Sequence, residues 1–451
     1  MQDVKTVNNA LISEQARWQE LASDILKQAK AQGASSAEVG VSSSDGFSVT
    51  VRLGEVETVE YNRDKGVGIT VFFGQRKGSS STSDMSPDAI KAAVSAACHI
   101  AKLSGEDNCA GLADPELLAK DYPDLDLYHP WSIDPEQAIE LATQCEAQAR
   151  AFDKRIINSE GASVASHQGV NVYANSHGFS GGYLSSSHSF NCALVAQDSL
   201  GMQRDGSYTV ARDPSCLESI AAIAKEAGER TVKRLGARRV KTCQVPVVFH
   251  ADVARGLIGS FLSAISGGNL YRKASFLVDQ LGQSIFAKQV HIYQRPHIPK
   301  ALGSSPFDAE GVATYDNDLI KEGLLQNYIL SSYSARKLGM RTTGNAGGAH
   351  NIFINTSDKD LNGLLQLMGT GLLVTDVMGQ GVNIVTGDYS RGATGFWVEN
   401  GIIQYSVEEI TIAGNLRDMY QQLVAVGSDI DRRGYIQTGS ILIERMMVAG
   451  E

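Results

Sequence analysis

Residues 245–268 read VPVVFHADVARGLIGSFLSAISGG and change character twice along their length. The apolar residues 245–249 are typical of a short buried strand. Residues 251–266 repeat apolar side chains at helical spacing, and Gly267-Gly268 then supplies a helix stop. Beyond residue 292 the sequence indicates mostly strands and turns, with one further helix near residues 358–368. A strand that runs directly into a helix, followed by many strands, predicts an α+β fold.

The first half of the chain repeats one order of elements: helix, strands, helix. Asp134 provides an N-cap, Pro135 the first helical position and Gln137 the capping-box partner of one of these helices. Predicted helices cover residues 13–32, 86–102, 134–152 and 217–235, and predicted strands at 47–53, 67–73 and within 164–197 lie between them. A turn predicted at residues 61–66 echoes one at 173–178. Turns that end in glycine are common, so this is weak evidence for an internal duplication.

A short basic segment with a glycine, residues 236–241, separates these two patterns. We therefore predict two domains: an N-terminal mixed α/β domain over 1–235, with a sheet and flanking helices, and a C-terminal strand-rich domain over 236–451. A chain of 451 residues by itself suggests two or three domains, because a domain takes about 150 residues. Residues 104–131 show little periodicity and predict an extended loop, which apolar side chains such as Leu125 and Leu127 anchor.

Composition excludes several classes of protein. The formal net charge is -10, and the densest basic cluster is Arg238-Arg239 with Lys241, so nucleic acid is not expected as the main ligand. Arg432-Arg433 is predicted to be a solvated surface pair. No apolar run approaches the length of a membrane span, and the N-terminus has no signal-peptide pattern. Six cysteines without a CxxC spacing predict free thiols in a reducing cytoplasm.

Several segments, in a fixed order, carry a family resemblance that extends over nearly the whole chain. In the second half they are YRKASF at 271–276, SSPFDAEG at 304–311, SYSARKLG at 332–339, MGTGL at 368–372, TGDYSRGA at 386–393 and FWVENG at 396–401. In the first half they are GEVE at 54–57 and ANSHG at 174–178. Together these segments resemble the TldD/PmbA metallopeptidase family, in particular its PmbA (TldE) branch.

The resemblance implies a partner, the paralogue TldD, with the same two-domain plan. In TldD a helix carries His-Glu-x-x-x-His, and a cysteine near the C-terminus completes a zinc site with the glutamate as general base. The matching stretch here begins at His250, places Ala251 at the glutamate position and Arg255 at the second histidine position. Arginine is a permanent cation and does not ligate zinc. No cysteine follows Cys243, so the resemblance implies no catalytic residue and no metal in this chain, with zinc in the TldD partner.

Other residues leave alternatives open. Asp252 lies one residue from the position of the base, and His291, His297 and His350 lack helical spacing to another histidine, although distant residues could still converge on a metal. Two glycines, Gly369 and Gly371, flank Thr370, but they do not complete a nucleotide-binding motif.

These glycines are more typical of tight turns and of close backbone approach to an extended peptide, which makes residues 369–371 candidates for lining a substrate site. Asp388 and Arg391 lie in a glycine-flanked loop and are candidates for an ion pair at a substrate or domain interface.

Three functions follow from these observations. The first is the PmbA-type subunit of a cytoplasmic metallopeptidase that acts with TldD on unstructured peptides, such as microcin precursors and an antitoxin. The second is a self-sufficient metallopeptidase with an unrecognised metal site. The third is a non-enzymatic modulator of a protein target such as DNA gyrase, in line with the older description of the family. The sequence leaves open whether the isolated chain forms a homodimer, although paralogues that pair often keep a self-complementary face.

Overall fold

A computed structural model of the chain describes the backbone of residues 2–450 and the side chains of residues 13–450. Its helices are α1 Gln2–Ala31, α2 Pro87–Leu103, α3 Pro135–Arg150, α4 Ile220–Lys233, α5 Ala251–Ala264, α6 Gly267–Tyr271, α7 Ser332–Lys337, α8 Leu361–Met368 and α9 Leu416–Gln421. The strands of the first half are β1 Ser36–Arg52, β2 Glu55–Phe73, β3 Arg76–Thr82, β4 Ile156–Asn175, β5 Ser180–Gln197 and β6 Met202–Ala211. Those of the second half are β7 Cys243–Phe249, β8 Ile292–Gln294, β9 Asn317–Lys321, β10 Leu324–Leu325, β11 Ile352–Ile354, β12 Gly371–Met378, β13 Asp388–Glu399, β14 Ile402–Asn415, β15 Leu423–Val426, β16 Ile436–Gln437 and β17 Ile441–Ala449. The chain contains both helices and largely antiparallel sheets, which confirms the α+β fold class.

The N-terminal part, residues 2–235, is built on one antiparallel sheet with strand order β3-β2-β1-β4-β5-β6. A helix, three strands and a helix occur twice in sequence, and β1 pairs with β4 to join the two units. The helix starts follow from local chemistry. The Ser86 side chain accepts from the amide of Ala89, and Asp134 forms the predicted capping box with Gln137.

The turn predicted at residues 61–66 is wrong, because these residues continue β2. Asn62 and Asp64 lie opposite Gly46 and Ser44 of β1, and the polar side chains that suggested a turn are exposed on a long strand. The chain instead reverses at Leu53 and Gly54, whose φ angles of 55° and 82° suit a two-residue hairpin turn. The turn predicted at 173–178 is confirmed, since β4 ends at Asn175 and β5 begins at Ser180.

Helices cover only one face of this sheet. Val39, Val41, Val49 and Val51 of β1 are buried against them. The opposite face carries small polar side chains, because residues alternate between the two sides of a strand. On β1 and β5 these are Ser42, Ser44, Ser48, Ser185, Ser187 and Ser189, all at least partly exposed. The loop over 104–131 is confirmed as extended and anchored, with Leu125 and Leu127 buried.

The C-terminal part, residues 236–450, contains a sheet that closes on itself. Its strand order is β14-β13-β12-β7-β17-β15, and a further pairing of β14 with β17 completes a ring. A second sheet has the order β10-β9-β8-β11-β16, and α5 packs with both in the largest apolar core. The predicted strand and helix around residue 250 are confirmed as β7 and α5. The boundary between domains at 235/236 stays a prediction.

None of the helices in the described part of the chain is long and apolar enough to cross a membrane.

Candidate functional site

His250 lies where β7 meets α5, at the point where the two parts of the chain face each other. Its amide donates to the carbonyl of Val374 on β12 at 2.9 Å, which fixes the strand end. Its side chain caps α5 by accepting from the amide of Asp252 at 3.3 Å. The amide of the buried Ala251 donates to Ser440 Oγ at 3.0 Å. His250 is therefore a helix-capping residue, and Ala251 contributes no side-chain donor or acceptor.

Beside this helix start is a cavity of about 780 Å³ between the two parts, which we call the central cavity. The N-terminal part contributes residues from β5, β6 and α4, and the C-terminal part residues from α5, β12 and β13. Polar lining residues include Tyr208, Arg230, Asp252, Arg255, Asp376 and Thr394. The degenerate motif thus forms part of the wall of a space large enough for a peptide segment.

Asp252 holds an arginine from each side of the cavity. Its Oδ2 accepts from Arg230 Nη1 of α4 at 2.6 Å, and its Oδ1 accepts from Arg433 Nη2 at 2.5 Å. Burial by itself raises the pKa of Asp252, but Arg230, His250 and Arg433 together outweigh burial and leave this pKa lowered. The carboxylate is therefore ionised at neutral pH and fully engaged, so it is not available as a general base.

Arg255 is engaged in the same network. Its Nη1 donates to the hydroxyl of Tyr208 on β6 at 2.7 Å and lies 3.6 Å from Asp431. Asp431 in turn accepts from Arg433 Nε at 2.9 Å. Arg255 thus occupies the position of the second histidine in the His-Glu-x-x-x-His pattern. Its guanidinium connects α5 to the N-terminal sheet and to the loop before β16.

The network extends further into the N-terminal part. Asp205 of β6 pairs with Arg230 at 3.2 Å and with Arg234 at 2.9 Å. Arg234 also donates to the Thr394 hydroxyl on β13. Four arginines and three aspartates from both parts of the chain are thereby joined across the cavity.

These residues do not fit a zinc site. Zinc needs three or four neutral or anionic donors that converge, and this position offers one capping imidazole beside a carboxylate that two guanidinium groups already hold. Cys243 is at the opposite end of β7, about 20 Å of strand away from His250. Across the described residues, no three His, Cys, Asp or Glu side chains converge in a metal-binding group.

The other histidines considered from the sequence have separate partners. His291 lies 3.0 Å from Asp318, His297 contacts the hydroxyl of Thr314 at 2.8 Å, and His350 contacts the carbonyl of Gly344 at 3.0 Å. Burial lowers the pKa of His297 and of His350, so both imidazoles stay neutral at pH 7. None of the three lines the central cavity.

Comparison with known proteins agrees with this architecture. Models of the PmbA/TldA metallopeptidase family match residues 37–101 as domain 1, 128–235 as the central domain and 242–450 as the C-terminal domain. The chain belongs to the PmbA/TldD metallopeptidase family. It is 50% identical to the metalloprotease PmbA homologue of Haemophilus influenzae over 99% of this chain and 100% of the relative. It is 51% identical to metalloprotease PmbA of Escherichia coli O157:H7 over 92% of each chain.

A solved structure shows the same fold. A protein from Bacteroides thetaiotaomicron, provisionally named a modulator of DNA gyrase, superposes with a TM-score of 0.90. It covers 96% of this chain and 98% of its own length at 28% identity.

The remaining site candidates of this PmbA/TldD family member lie outside the central cavity. Gly369, with φ 73°, ends α8, and a side chain at Gly371 would strike the carbonyl of Pro246 on β7. Residues 369–371 thus form the turn into β12, whereas the cavity lies at the other end of that strand, from residue 375 onwards. Thr370 is exposed in that turn. Their role in lining a substrate site stays a prediction.

Asp388 and Arg391 do not pair with each other in the described structure. Asp388 accepts from the Thr386 hydroxyl at 2.6 Å and from the side-chain amide of Asn415 at 3.2 Å. Arg391 instead donates to the carbonyl of Met378 at 3.3 Å. They are three positions apart on β13, so their side chains leave opposite faces of the strand.

Sequence reasoning missed most of the network. Arg433 was predicted to be a solvated surface residue, which is wrong because its side chain is 17% exposed and its guanidinium is bonded to Asp252 and Asp431. Arg432 beside it is exposed. Arg230, Asp205 and Tyr208 carried no signal either, since they come from segments far from residue 250 and no local pattern links them.

Proposed function

We propose that this chain is the subunit of a two-component metallopeptidase that contributes no metal, and that it acts with a TldD-type paralogue. One observation supports this proposal above the others. Where the paralogue's pattern requires a general base and a second ligand, this chain has Ala251 and Arg255, and Arg255 is bound into an ion network. Zinc and the general base then come from the TldD-type partner.

The substrates we propose are unstructured peptides, such as microcin precursors and an antitoxin. The central cavity adjoins the helix-free face of the N-terminal sheet, and Ser189 and Asn191 line both. Small hydroxyl and amide side chains along this face leave room for an extended chain and offer hydrogen bonds without selecting for particular side chains. A cytoplasmic location, predicted from the sequence, remains part of this proposal.

The test compares metal content and peptidase activity on an unstructured peptide for this chain alone, for its TldD-type paralogue alone, and for the mixture. We expect the pure chain to hold well under one zinc per molecule and to be inactive, and the mixture to cleave. Stoichiometric zinc with cleavage by the pure chain would instead establish a self-sufficient peptidase. Tight binding to gyrase or another target, with no cleavage in the mixture, would support the modulator hypothesis.

Activity of the mixture can also be tied to this chain's cavity. Asn191→Trp places a large ring on the cavity wall at an exposed position, so we expect it to reduce cleavage without changing the zinc content of the mixture. Leu200→Trp, in an exposed loop that does not line the cavity, is the matched control.

A further inference from the structure

Four arginines line the central cavity, and their charges are not equally well paired. They are Arg204, Arg230, Arg234 and Arg255. The first three lie, in this order, 2.6 Å from Glu160, 2.6 Å from Asp252 and 2.9 Å from Asp205. Arg255 lies 3.6 Å from Asp431, and among the described residues no carboxylate is nearer to it. Its positive charge is therefore the least well paired of the four.

Arg255 also has hydrogen-bond donors without acceptors. A guanidinium group carries five N–H donors. Nη1 donates to the Tyr208 hydroxyl at 2.7 Å, whereas Nε and Nη2 make no hydrogen bond within the part of the chain that the structure describes. These two nitrogens form one edge of the planar group, and such an edge holds a carboxylate by two parallel hydrogen bonds. Since the side chain is 35% exposed and lines the cavity, this edge is open to a ligand.

The carboxylates of the cavity wall do not occupy this edge. Asp252, on the same helix, accepts from Arg230 with one oxygen and from Arg433 with the other. Asp376 on β12 is exposed, and no described arginine or lysine pairs with it. The wall thus has one weakly paired cation on α5 and one exposed anion on β12. An anionic ligand would be held by the first and repelled by the second.

Tyr208 holds the guanidinium of Arg255 from its other side. The carbonyl of Tyr208 accepts from Arg433 Nη1 at 3.2 Å, and the centre of its ring lies 4.5 Å from Cζ of Arg433. Tyr208 is thus fixed on β6, and its hydroxyl fixes Arg255 in turn. A side chain that is already ordered loses less entropy when it binds a ligand.

We propose that Arg255 binds a carboxylate group of the peptide substrate. Such binding rests on the proposed function, in which unstructured peptides enter the central cavity. The carboxylate is the C-terminus of the peptide or the side chain of an aspartate or glutamate, since both have the planar geometry that the guanidinium edge matches. At the position of the second histidine of the His-Glu-x-x-x-His pattern, this chain therefore has an anion site in place of a metal ligand.

This anion site adjoins the face along which the rest of a peptide would lie. Tyr208 is paired with Asn191 in the register of β5 and β6, and Asn191 and Ser189 line the cavity beside it. These neutral side chains offer hydrogen bonds but no charge. One charged anchor next to neutral polar side chains fits substrates that share a carboxylate and little else in their sequences.

Peptide binding to the isolated full-length chain tests the proposal. Three dansyl-labelled peptides of Gly, Ser and Ala are titrated at pH 7: one with a free C-terminus, one with a C-terminal amide, and one with a C-terminal amide and a single central Glu. We expect at least one of the two peptides with a carboxylate to bind about tenfold more tightly than the peptide without one, because hydrogen bonds between charged groups are stronger than neutral ones. Tighter binding of the first peptide identifies the C-terminus as the ligand, and tighter binding of the third identifies an acidic side chain. Equal binding of all three, or no binding of either peptide with a carboxylate, would overturn the proposal.

Matched variants assign the carboxylate preference to Arg255. Arg255→Gln should bind all three peptides equally, whereas Arg255→Lys, which keeps the charge but not the planar edge, should keep part of the preference. Arg204→Gln removes the same charge from an arginine that Glu160 already pairs, so it should keep the full preference. Asp376→Asn should bind the peptides with a carboxylate at least as tightly as the wild type, because an exposed anion is removed from the wall. Full preference in Arg255→Gln, or equal losses in the two arginine-to-glutamine variants, would refute the assignment.

Two further observations keep the test independent of folding and of cleavage. Circular dichroism establishes that Arg255→Gln is folded, and Tyr208→Phe, which removes the contact that orients Arg255 without changing the charge, should show a smaller loss of the preference. None of these measurements uses zinc or cleavage. If the mixture with the paralogue cleaves but this chain shows no carboxylate preference, the proposed function stands and the carboxylate site is refuted. If this chain binds carboxylates and the mixture does not cleave, the site stands and the proposed activity is refuted.

Discussion

Asp252 is the residue on which arginines from both parts of the chain converge, so its removal leaves buried charge unpaired. We expect Asp252→Ala to lower the free energy of unfolding by about 3 kcal/mol, because removing the carboxylate leaves the two arginine charges buried without their partner. Asp376→Ala, on the same cavity wall but exposed, should change stability by no more than about 0.5 kcal/mol. Urea denaturation measures the free energy of unfolding of both variants. Equal losses of stability in the two variants would show that the network adds no stability.

Asp107 provides a residue-scale prediction that depends on pH. Its carboxylate accepts from the Cys109 amide, from Lys337 Nζ at 2.9 Å and from the Tyr333 hydroxyl at 2.7 Å, and these contacts lower its pKa to about 2. Since the folded pKa lies below the unfolded one, the stabilisation is complete above about pH 4 and is lost as the pH falls towards 2. The wild type should therefore have a higher melting temperature than Asp107→Asn at pH 6, and the difference between the two melting temperatures should be smaller at pH 3. A gap that stays constant with pH would contradict this assignment.

At the scale of elements, one helix fixes the turn of the long hairpin. Glu146 of α3 is 1% exposed and accepts from the amides of Leu53 and Gly54, each at 2.8 Å. Hydrogen bonds to a charged group contribute about 1.5–3 kcal/mol each, so Glu146→Ala should destabilise the chain by about 3 kcal/mol. Glu146→Gln keeps one acceptor and should lose about half as much.

Hydrogen exchange measures where that loss occurs. In Glu146→Ala we expect faster exchange at the amides of residues 53–58, while the amides of β4 stay protected. Glu140→Ala, on the exposed side of the same helix, should leave both the exchange and the unfolding midpoint unchanged. Uniform loss of protection over the whole sheet would mean that Glu146 supports the core rather than the turn.

The same scale shows what local sequence determines. Helix starts at Ser86 and Asp134 were predictable, because a cap and its partner lie within three residues of each other. The strand and helix around residue 250 were predictable from periodicity. The segment 61–66 was not, because Asn and Asp favour turns in isolation, and here pairing with β1 overrides that preference. The partners of Asp252 come from residues 230 and 433, and only the tertiary fold brings them together.

At the scale of the whole molecule, two further arginines join the parts. Arg212, after β6, donates to the carbonyls of Ala301 and Leu302 at 3.0 and 2.9 Å. Arg336 on α7 donates to the carbonyls of Gly111 and Leu112 at 3.1 and 2.5 Å in the opposite direction across the interface. With the central-cavity network, these contacts predict that the wild type unfolds in one calorimetric transition.

Arg212→Ala with Arg336→Ala should separate that transition into two. Each substitution leaves carbonyl groups at the interface without donors, at about 1–3 kcal/mol per group, so the contact between the parts weakens while each core stays intact. Arg341→Ala is the control, because Arg341 is 72% exposed and lies 3.7 Å from an equally exposed Glu116 across the same boundary. Differential scanning calorimetry distinguishes the outcomes. A single transition, lowered but not split, would mean that apolar contact between the two parts is enough to keep their unfolding cooperative.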